Sequence, residues 1–286
     1  MRKIIVSVPL ATLMLAGTST AFAATNHSVA SIAPAIQAVN NSASIGFNDT
    51  LMNYQENITP EPSDTESGWM PGFQAKASFM HDIMGVSHVY LQLQTRYNSG
   101  GIRYHGAIGD TPVQTTDNAT TFTIGGRIGK GFSLMDDQAM ITPYVGMGYY
   151  HWNRHLEGAA GYKEDYSSGY ASVGGLFQYA VSPRMLVGVS ASYGMVFDGG
   201  LTASDFNPES DLAGATLKTK TFDITGRERI AANVDYLISN NLYAYGGLSY
   251  SHFNYSGAPI PSLPGSFEPS SQTNRFGINV GVGYSF

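Results

Sequence analysis

Apolar and polar positions alternate in the last stretch of the chain, Asn274 to Phe286, and they do so strictly from Arg275 onward. The apolar parity consists of Phe276, Ile278, Val280, Val282, Tyr284 and Phe286, and each residue between them is glycine, asparagine or serine. A β-strand directs successive side chains to opposite faces of its sheet. This segment therefore has one apolar face, which needs a partner sheet or lipid, and one small or polar face, which fits the wall of a lumen.

The same two-residue period recurs in nine segments upstream of this strand. Their apolar positions include Ile45 and Phe47, Phe73 and Ala75, Val89 and Leu91, Phe122 and Ile124, Ile141 and Val145, Val173 and Phe177, Val187 and Val189, Ile224 and Ile230, and Leu242 and Leu248. We predict ten strands, the first beginning near Ser42. In this first strand Met52 and Tyr54 have the opposite parity to Phe47, so either a bulge lies near Asp49 or the assumed phase is wrong.

The connections between the predicted strands alternate between short and long. The short ones lie at 81–87, 135–138, 182–184 and 238–241, and the long ones at 57–68, 99–118, 153–168, 198–219 and 255–273. Membrane barrels join their strands by short periplasmic turns and longer extracellular loops. We therefore predict an all-β chain that forms a transmembrane antiparallel up-and-down β-barrel of ten strands, with both termini periplasmic. Eight strands are the alternative if the first hairpin packs differently.

The amino terminus has the pattern of a secretory signal peptide. Arg2 and Lys3 precede an apolar run of about a dozen residues, and the small-residue motif Ala21-Phe22-Ala23 follows it. We predict a cleaved signal peptide at residues 1–23, an irregular periplasmic lead-in at 24–41 and the barrel at 42–286. This order places the mature chain in the outer membrane of a Gram-negative bacterium.

Composition excludes several kinds of site. The chain has no cysteine, so it has no disulfide, no thiolate metal site and no cysteine nucleophile. Charged residues make up only 13% of the chain and glycine occurs 33 times, which is unlike the surface of a soluble helical protein. The mean hydropathy of -0.10 does not decide the question, because a barrel averages a lipid face with a wet face.

Charged side chains collect on the parity predicted to face the lumen. They are Lys76, Arg96, Arg127, Asp223, Arg227, Arg229, Asp235 and Arg275. A barrel of about ten strands is largely filled by its own side chains, so one interpretation is a salt-bridged plug. Because cations outnumber acids in this set, a narrow anion-preferring pore is the alternative. We expect no cofactor and no metal, since His151 and His155 lie about 13 Å apart on a strand.

The five long connections are acidic. They carry thirteen acids and four bases, a net charge of -9 in a chain whose net charge is -6. Such a rim disfavours nucleic acid and polyanionic glycans as partners. The partners we expect are outer-membrane lipids and lipopolysaccharide, the barrel-assembly machinery during biogenesis, and an extracellular ligand that the sequence does not identify.

Aromatic residues cluster near the predicted strand ends, as in the interfacial girdles of membrane barrels. The lower girdle would contain Phe79, Phe132, Tyr179, Tyr236, Tyr243 and Tyr284, and the upper girdle Phe73, Tyr97, Phe122, Tyr149, Trp152, Phe197, Phe222 and Tyr250. Glu228 has the outward parity, where a carboxylate at the bilayer midplane would cost a few kcal/mol. We predict that Glu228 lies at the outer headgroup level, and a bulge in the eighth strand is the alternative.

The last strand ends on an aromatic residue and in this resembles the closing strand of bacterial outer-membrane β-barrel proteins, which implies an assembly signal at Tyr284 and Phe286. The strand count resembles that of the omptins, the ten-stranded outer-membrane proteases. That family activates water with paired aspartates on one side of a cleft and an Asp-x-His pair on the other. Here Asp198 and Asp205 lie in the fourth long connection, but no Asp-x-His occurs in the chain. We expect a non-enzymatic structural or adhesin-like surface role, with a surface hydrolase as a remote alternative.

Overall fold

The computed structural model describes residues 33–58, 63–108, 111–158 and 161–286. One short helix, α1 (Pro34–Asn40), precedes ten long strands. The strands are β1 (Ser42–Glu56), β2 (Thr65–Ile83), β3 (Val86–Ile108), β4 (Thr111–Lys130), β5 (Ala139–His155), β6 (Lys163–Ser182), β7 (Met185–Ser204), β8 (Thr225–Leu237), β9 (Leu242–Tyr255) and β10 (Ser271–Ser285). The short strands Phe132–Leu134 and Leu217–Lys218 pair with β5 and β7, and Ala258–Pro259 pairs with Phe267–Glu268 in the last loop.

The ten strands form one closed sheet. Each pairs antiparallel with its neighbours in the sequence, and β1 pairs with β10 in continuous register from Ser42 opposite Ser285 to Glu56 opposite Ser271. Closure gives the strands hydrogen-bond partners on both sides, which the interior of a bilayer requires. The predicted ten-stranded antiparallel up-and-down barrel is confirmed, and the eight-stranded alternative is wrong.

The two faces of the wall differ as the alternating pattern requires. In β10, Ile278, Val280 and Val282 are 42% to 56% exposed on the outer face, whereas Thr273 and Arg275 are buried toward the lumen. An outward apolar side chain is satisfied by lipid alone, so the band of outward apolar residues marks the membrane-spanning part of the wall.

The strands continue well beyond this band on the extracellular side. A strand needs only about 9–11 residues to cross a bilayer, and β3 has 23. The outward side chains become polar above Leu51 in β1, where Asp49 already interrupts the apolar parity, and above Phe122 in β4. We call the wall beyond this change the extracellular extension. The predicted loop at 99–118 is therefore wrong, because β3 and β4 stay paired until Ile108 lies opposite Thr111.

Two irregularities that the sequence left open are absent from the described strands. The register of β1 with β2 and β10 does not shift, and Met52 and Tyr54 are buried in the lumen. The phase set by Ile45 and Phe47, which are exposed on the outer face, holds along the whole strand, so neither a bulge nor a phase error explains Met52 and Tyr54. Instead the apolar residues of β1 change from the lipid face to the lumen face. Strand β8 is likewise uninterrupted at Glu228, which is exposed opposite His252, three residues from the extracellular end of the strand. The bulge proposed for β8 is wrong.

The predicted signal peptide, residues 1–23, lies outside the described residues, as does most of the predicted lead-in. The described part of the lead-in is not irregular, because α1 lies in the periplasmic mouth of the barrel with Ile36 fully buried. Pro34 suits the start of this helix, where the missing N–H is not needed. In the part of the chain that the structure describes, no helix is both long and apolar enough to cross a membrane.

Candidate functional site

The periplasmic half of the lumen is filled by α1 and the side chains around it, which we call the lower cluster. Its barrel members are Met80, Tyr90, Met140, Tyr144, Leu176, Ala180, Leu186, Leu237, Tyr243 and Tyr245. Asn40 and Gln178 exchange hydrogen bonds of 2.8 and 3.0 Å, and Ser42 Oγ lies 2.8 Å from the Tyr243 hydroxyl. Buried bonds of this kind are costly to break, so the Asn40–Gln178 pair fixes the end of α1 to the wall.

The extracellular half of the lumen is filled by a second apolar group, which we call the upper cluster. It contains Met52, Tyr54, Met70, Ile102, Ala119, Tyr150, Trp152, Tyr166, Val196, Leu201, Phe222, Phe253, Tyr255 and Ala258. The Trp152 ring lies 4.9 Å from that of Tyr54 and 5.1 Å from that of Tyr166, measured between centroids. Three girdle assignments are therefore wrong, because Trp152 and Phe222 belong to the upper cluster and Tyr243 to the lower.

A cationic layer, which we call the central chamber, lies between the two clusters. It contains two cavities of about 100 and about 90 Å³. The charged side chains on their walls are Lys76, Arg96, Arg127, Arg227, Arg229, Asp235 and Arg275. The structure thus brings together all the charged residues predicted for the lumen except Asp223. That residue is exposed on the extracellular side, because β8 begins only at Thr225.

Aromatic rings hold the guanidinium groups of the chamber from both sides. The Arg127 guanidinium lies 4.8 Å from the ring centroid of Tyr144 in the lower cluster, and that of Arg275 lies 4.7 Å from the ring centroid of Tyr150 in the upper cluster. Such contacts contribute about 0.5–2 kcal/mol each. Among the described residues, no chamber cation forms an ion pair with a carboxylate. The predicted salt-bridged plug is therefore wrong for this layer.

The buried ion pairs of the lumen lie higher, in the extracellular extension, and centre on Arg154. This side chain is 1% exposed and donates hydrogen bonds to Glu66 and Glu164. Three more buried carboxylates surround this group, those of Glu56, Asp117 and Glu268. We call these six residues the Arg154 cluster. Sequence reasoning missed it, because all its members except Glu56 were assigned to the acidic loops.

Burial governs the protonation of this cluster. It raises the pKa of Glu56 to about 7, although Arg154 opposes the change and the Tyr54 hydroxyl donates a 3.0 Å hydrogen bond. Burial and the neighbouring carboxylates also raise the pKa of Glu268 well above its usual range, while the Tyr166 hydroxyl donates a 2.6 Å hydrogen bond to it. Because one arginine cannot neutralise five carboxylates, part of the cluster is protonated near neutral pH.

The candidate hydrolytic side chains lie apart. Asp205 is exposed and pairs with Lys163 at 2.7 Å, and among the described residues neither it nor Asp198 forms an ion pair with a histidine. His151 lies 3.4 Å from Asp165 on the outer wall of the extension. These separate contacts do not reproduce the two facing pairs that an omptin-like mechanism needs.

The residues of the predicted assembly signal lie at the periplasmic end of β10. Tyr284 is 59% exposed and Phe286 is 68% exposed, both on the outward parity. The Phe286 amide donates a 3.1 Å hydrogen bond to the Asn41 carbonyl, which ties the last residue to the start of β1. Their role in assembly stays a prediction.

Solved structures of outer-membrane barrels resemble this chain. The outer membrane protease OmpT of Escherichia coli superimposes with a TM-score of 0.60 at 10% sequence identity, over 87% of this chain and 97% of OmpT. The beta domain of the Bordetella autotransporter BrkA gives a TM-score of 0.43 at 13% identity, over 86% of this chain and 100% of that domain. The sequence matches no protein family and no curated protein. At these identities the likeness shows the fold alone, and that fold is the bacterial outer-membrane β-barrel.

Proposed function

We propose that this protein is a non-conducting outer-membrane barrel that binds a partner at the cell surface through its extracellular extension and loops. The observation that carries the proposal is the filling of the lumen on both sides of the central chamber. Ile36 and Tyr243 in the lower cluster and Trp152 in the upper cluster each have no exposed surface. A lumen packed in this way favours a role for the outer surface over a role in transport.

The extension offers a rigid platform for such a partner. Its outer wall carries uncharged polar side chains, among them Ser99, Gln114 and Thr116. The last loop contains the short hairpin Ala258–Pro259 with Phe267–Glu268, which Glu268 fixes to Tyr166 in the upper cluster. Binding through preordered segments avoids much of the entropy loss that flexible loops incur.

Charge narrows the class of partner. Four acids of the predicted rim and Arg154 are buried in the Arg154 cluster, but Glu157, Asp198, Glu209 and Asp211 are exposed. These carboxylates repel polyanions and attract cationic surfaces. We propose a neutral or basic protein surface as the partner, and we propose no catalytic role.

Shortening two loop tips tests the surface role. Cells that display the protein on their surface are tested for retention on a surface coated with lysozyme, which is a basic protein. We expect that replacing residues 207–215 and 260–266 by short Gly-Ser linkers lowers this retention at least severalfold. The barrel should still fold, because Asp205, Glu268 and the paired strands remain. A Glu209→Gln, Asp211→Asn variant separates charge from shape in this assay. Equal retention of the trimmed and full-length proteins, or preferential retention on heparin, would argue against the proposal.

Electrical recording tests the absence of a pore. Folded, heat-modifiable protein in planar bilayers is expected to show no conductance steps, and an Ile36→Asp variant should stay silent because the upper cluster is intact. The cations of the central chamber favour an anion-preferring pore as the second candidate. Discrete anion-selective steps that vanish in an Arg127→Ser, Arg227→Ser, Arg229→Ser variant would establish that pore and refute the proposal.

A further inference from the structure

The central chamber carries more positive charge than its described contacts compensate. Its five arginines are positively charged, because an arginine side chain does not lose its proton in a protein. Asp235 is the one carboxylate on the described walls of the two cavities. Even if Lys76 were neutral, the chamber would keep an excess of four positive charges. Aromatic faces stabilise single guanidinium groups but do not cancel charge, so this layer lacks counter-ions.

Donors in the chamber are also left without partners. The Nε–H groups of Arg96, Arg127 and Arg275 are buried and have no hydrogen-bond acceptor among the described residues. Arg275 as a whole is only 9% exposed and borders the larger cavity. A buried charged donor without an acceptor is unfavourable, and the planar guanidinium matches the oxygens of phosphate in particular.

The cavities have room for a small anion, and uncharged hydrogen-bond donors lie on their walls beside the arginines. Their volumes of about 100 and about 90 Å³ are several times the roughly 10–15 Å³ that holds one water by the same measure, so each has room for a group larger than a single water. Gln92, Gln94 and Ser192 add amide and hydroxyl donors to the walls. A group of about five heavy atoms with oxygens in several directions fits such a space.

We propose that the central chamber binds a small tetrahedral oxyanion, of the class of phosphate or sulfate, as an internal counter-ion. Arg96, Arg127 and Arg229 are the principal ligands, because these three line both cavities. They come from β3, β4 and β8, so the bound anion crosslinks distant parts of the wall. A free anion and a lipid phosphate group share this chemistry.

The ion content of the native protein tests the proposal directly. Protein extracted from membranes is washed in phosphate-free and sulfate-free chloride buffer and then denatured, and the released anions are measured by ion chromatography. We expect about one phosphate or sulfate per chain. Lipid phosphorus in the same sample, measured after organic extraction, would identify a headgroup as the source. Chloride alone in the denatured sample would overturn the proposal.

The substitution Arg229→Gln should change the heat-unfolding midpoint differently in a chamber that holds an anion and in one that does not. The heat-unfolding midpoint of the refolded full chain is measured in chloride and in phosphate at equal ionic strength. Phosphate should raise the midpoint of the unchanged protein and of the Arg184→Gln control, which alters an exposed periplasmic turn, but not that of Arg229→Gln. If the chamber holds no anion, Arg229→Gln should raise the midpoint in both buffers by removing repulsion, and phosphate should have no effect. Arg96→Gln serves as the second variant if Arg229→Gln does not fold.

Discussion

Replacing Arg154 by methionine is expected to destabilise the folded barrel by about 3–5 kcal/mol near neutral pH. Arg154 is 1% exposed and is the one cation among the five buried carboxylates of its cluster. Removing it leaves Glu66 and Glu164 buried without their charged partner. Breaking a buried pair from one side costs far more than losing an exposed pair, because the remaining charge cannot regain its hydration.

The measurement is urea unfolding of the refolded protein, followed by tryptophan fluorescence. Trp152 reports on the cluster, since its ring centroid lies 5.2 Å from the Arg154 guanidinium, while Trp69 is 43% exposed on the outer wall. Adding Glu66→Gln and Glu164→Gln to the Arg154→Met variant should restore part of the lost stability. Arg103→Met, which alters an exposed arginine of the extension, is the matched control. A loss of about 1 kcal/mol or less in Arg154→Met, typical of an exposed ion pair, would show that the cluster does not depend on this charge.

The architecture could be predicted from the sequence because a lipid-exposed wall gives its strands a strict two-residue period. In β10 each outward position from Phe276 to Tyr284 is apolar and each inward position from Arg275 to Ser285 is small, polar or charged. The parity of a single residue such as Arg275 therefore fixes its face. The chamber cations were found for the same reason. On a regular strand, parity alone decides whether a side chain faces the lumen, whatever the other residues in the lumen are.

The contents of the two lumen clusters could not be predicted in this way. The upper cluster is made of apolar and aromatic side chains, so Met52, Tyr54 and Trp152 resemble lipid-facing or interfacial residues although they face inward. The helix α1 is only seven residues long and is stabilised by contacts with distant strands, which leave no local periodicity. An isolated helix of this length is unstable in water.

The Arg154 cluster was hidden for a related reason. Glu66, Asp117 and Glu164 lie on strands that continue above the membrane, where the outward positions become polar and the alternation disappears. A stretch that is polar on both faces resembles a loop in the sequence. The pairing of β4 with β5 and of β5 with β6 brings Asp117 and Glu164 beside Arg154, and Glu66 reaches the same arginine from β2 through the lumen.

Acidification from about pH 7 to about pH 4.5 is expected to stabilise the barrel, by an amount on the order of a few kcal/mol. Burial raises the pKa of Glu56 from its usual 4.5 to about 7 and also raises the pKa of Glu268. Between the unfolded and folded pKa values the folded state binds more protons than the unfolded state. The free energy of unfolding therefore rises as the pH falls through this window, and below the unfolded pKa this contribution no longer changes.

Isosteric amides test whether these two carboxyl groups are responsible. In a Glu56→Gln, Glu268→Gln variant the hydroxyls of Tyr54 and Tyr166 can still donate to the side-chain oxygens, but nothing titrates at either position. Urea unfolding at several pH values should show a smaller pH dependence in this variant and higher stability at pH 7 than in the unchanged protein. The Glu209→Gln control, which alters an exposed loop acid, should keep the full pH dependence. If the unchanged protein instead lost stability steadily between pH 7 and pH 5, the buried carboxyl groups would be ionised in the folded state. That result would contradict the proton uptake predicted here, because a single arginine cannot pair with all five carboxylates.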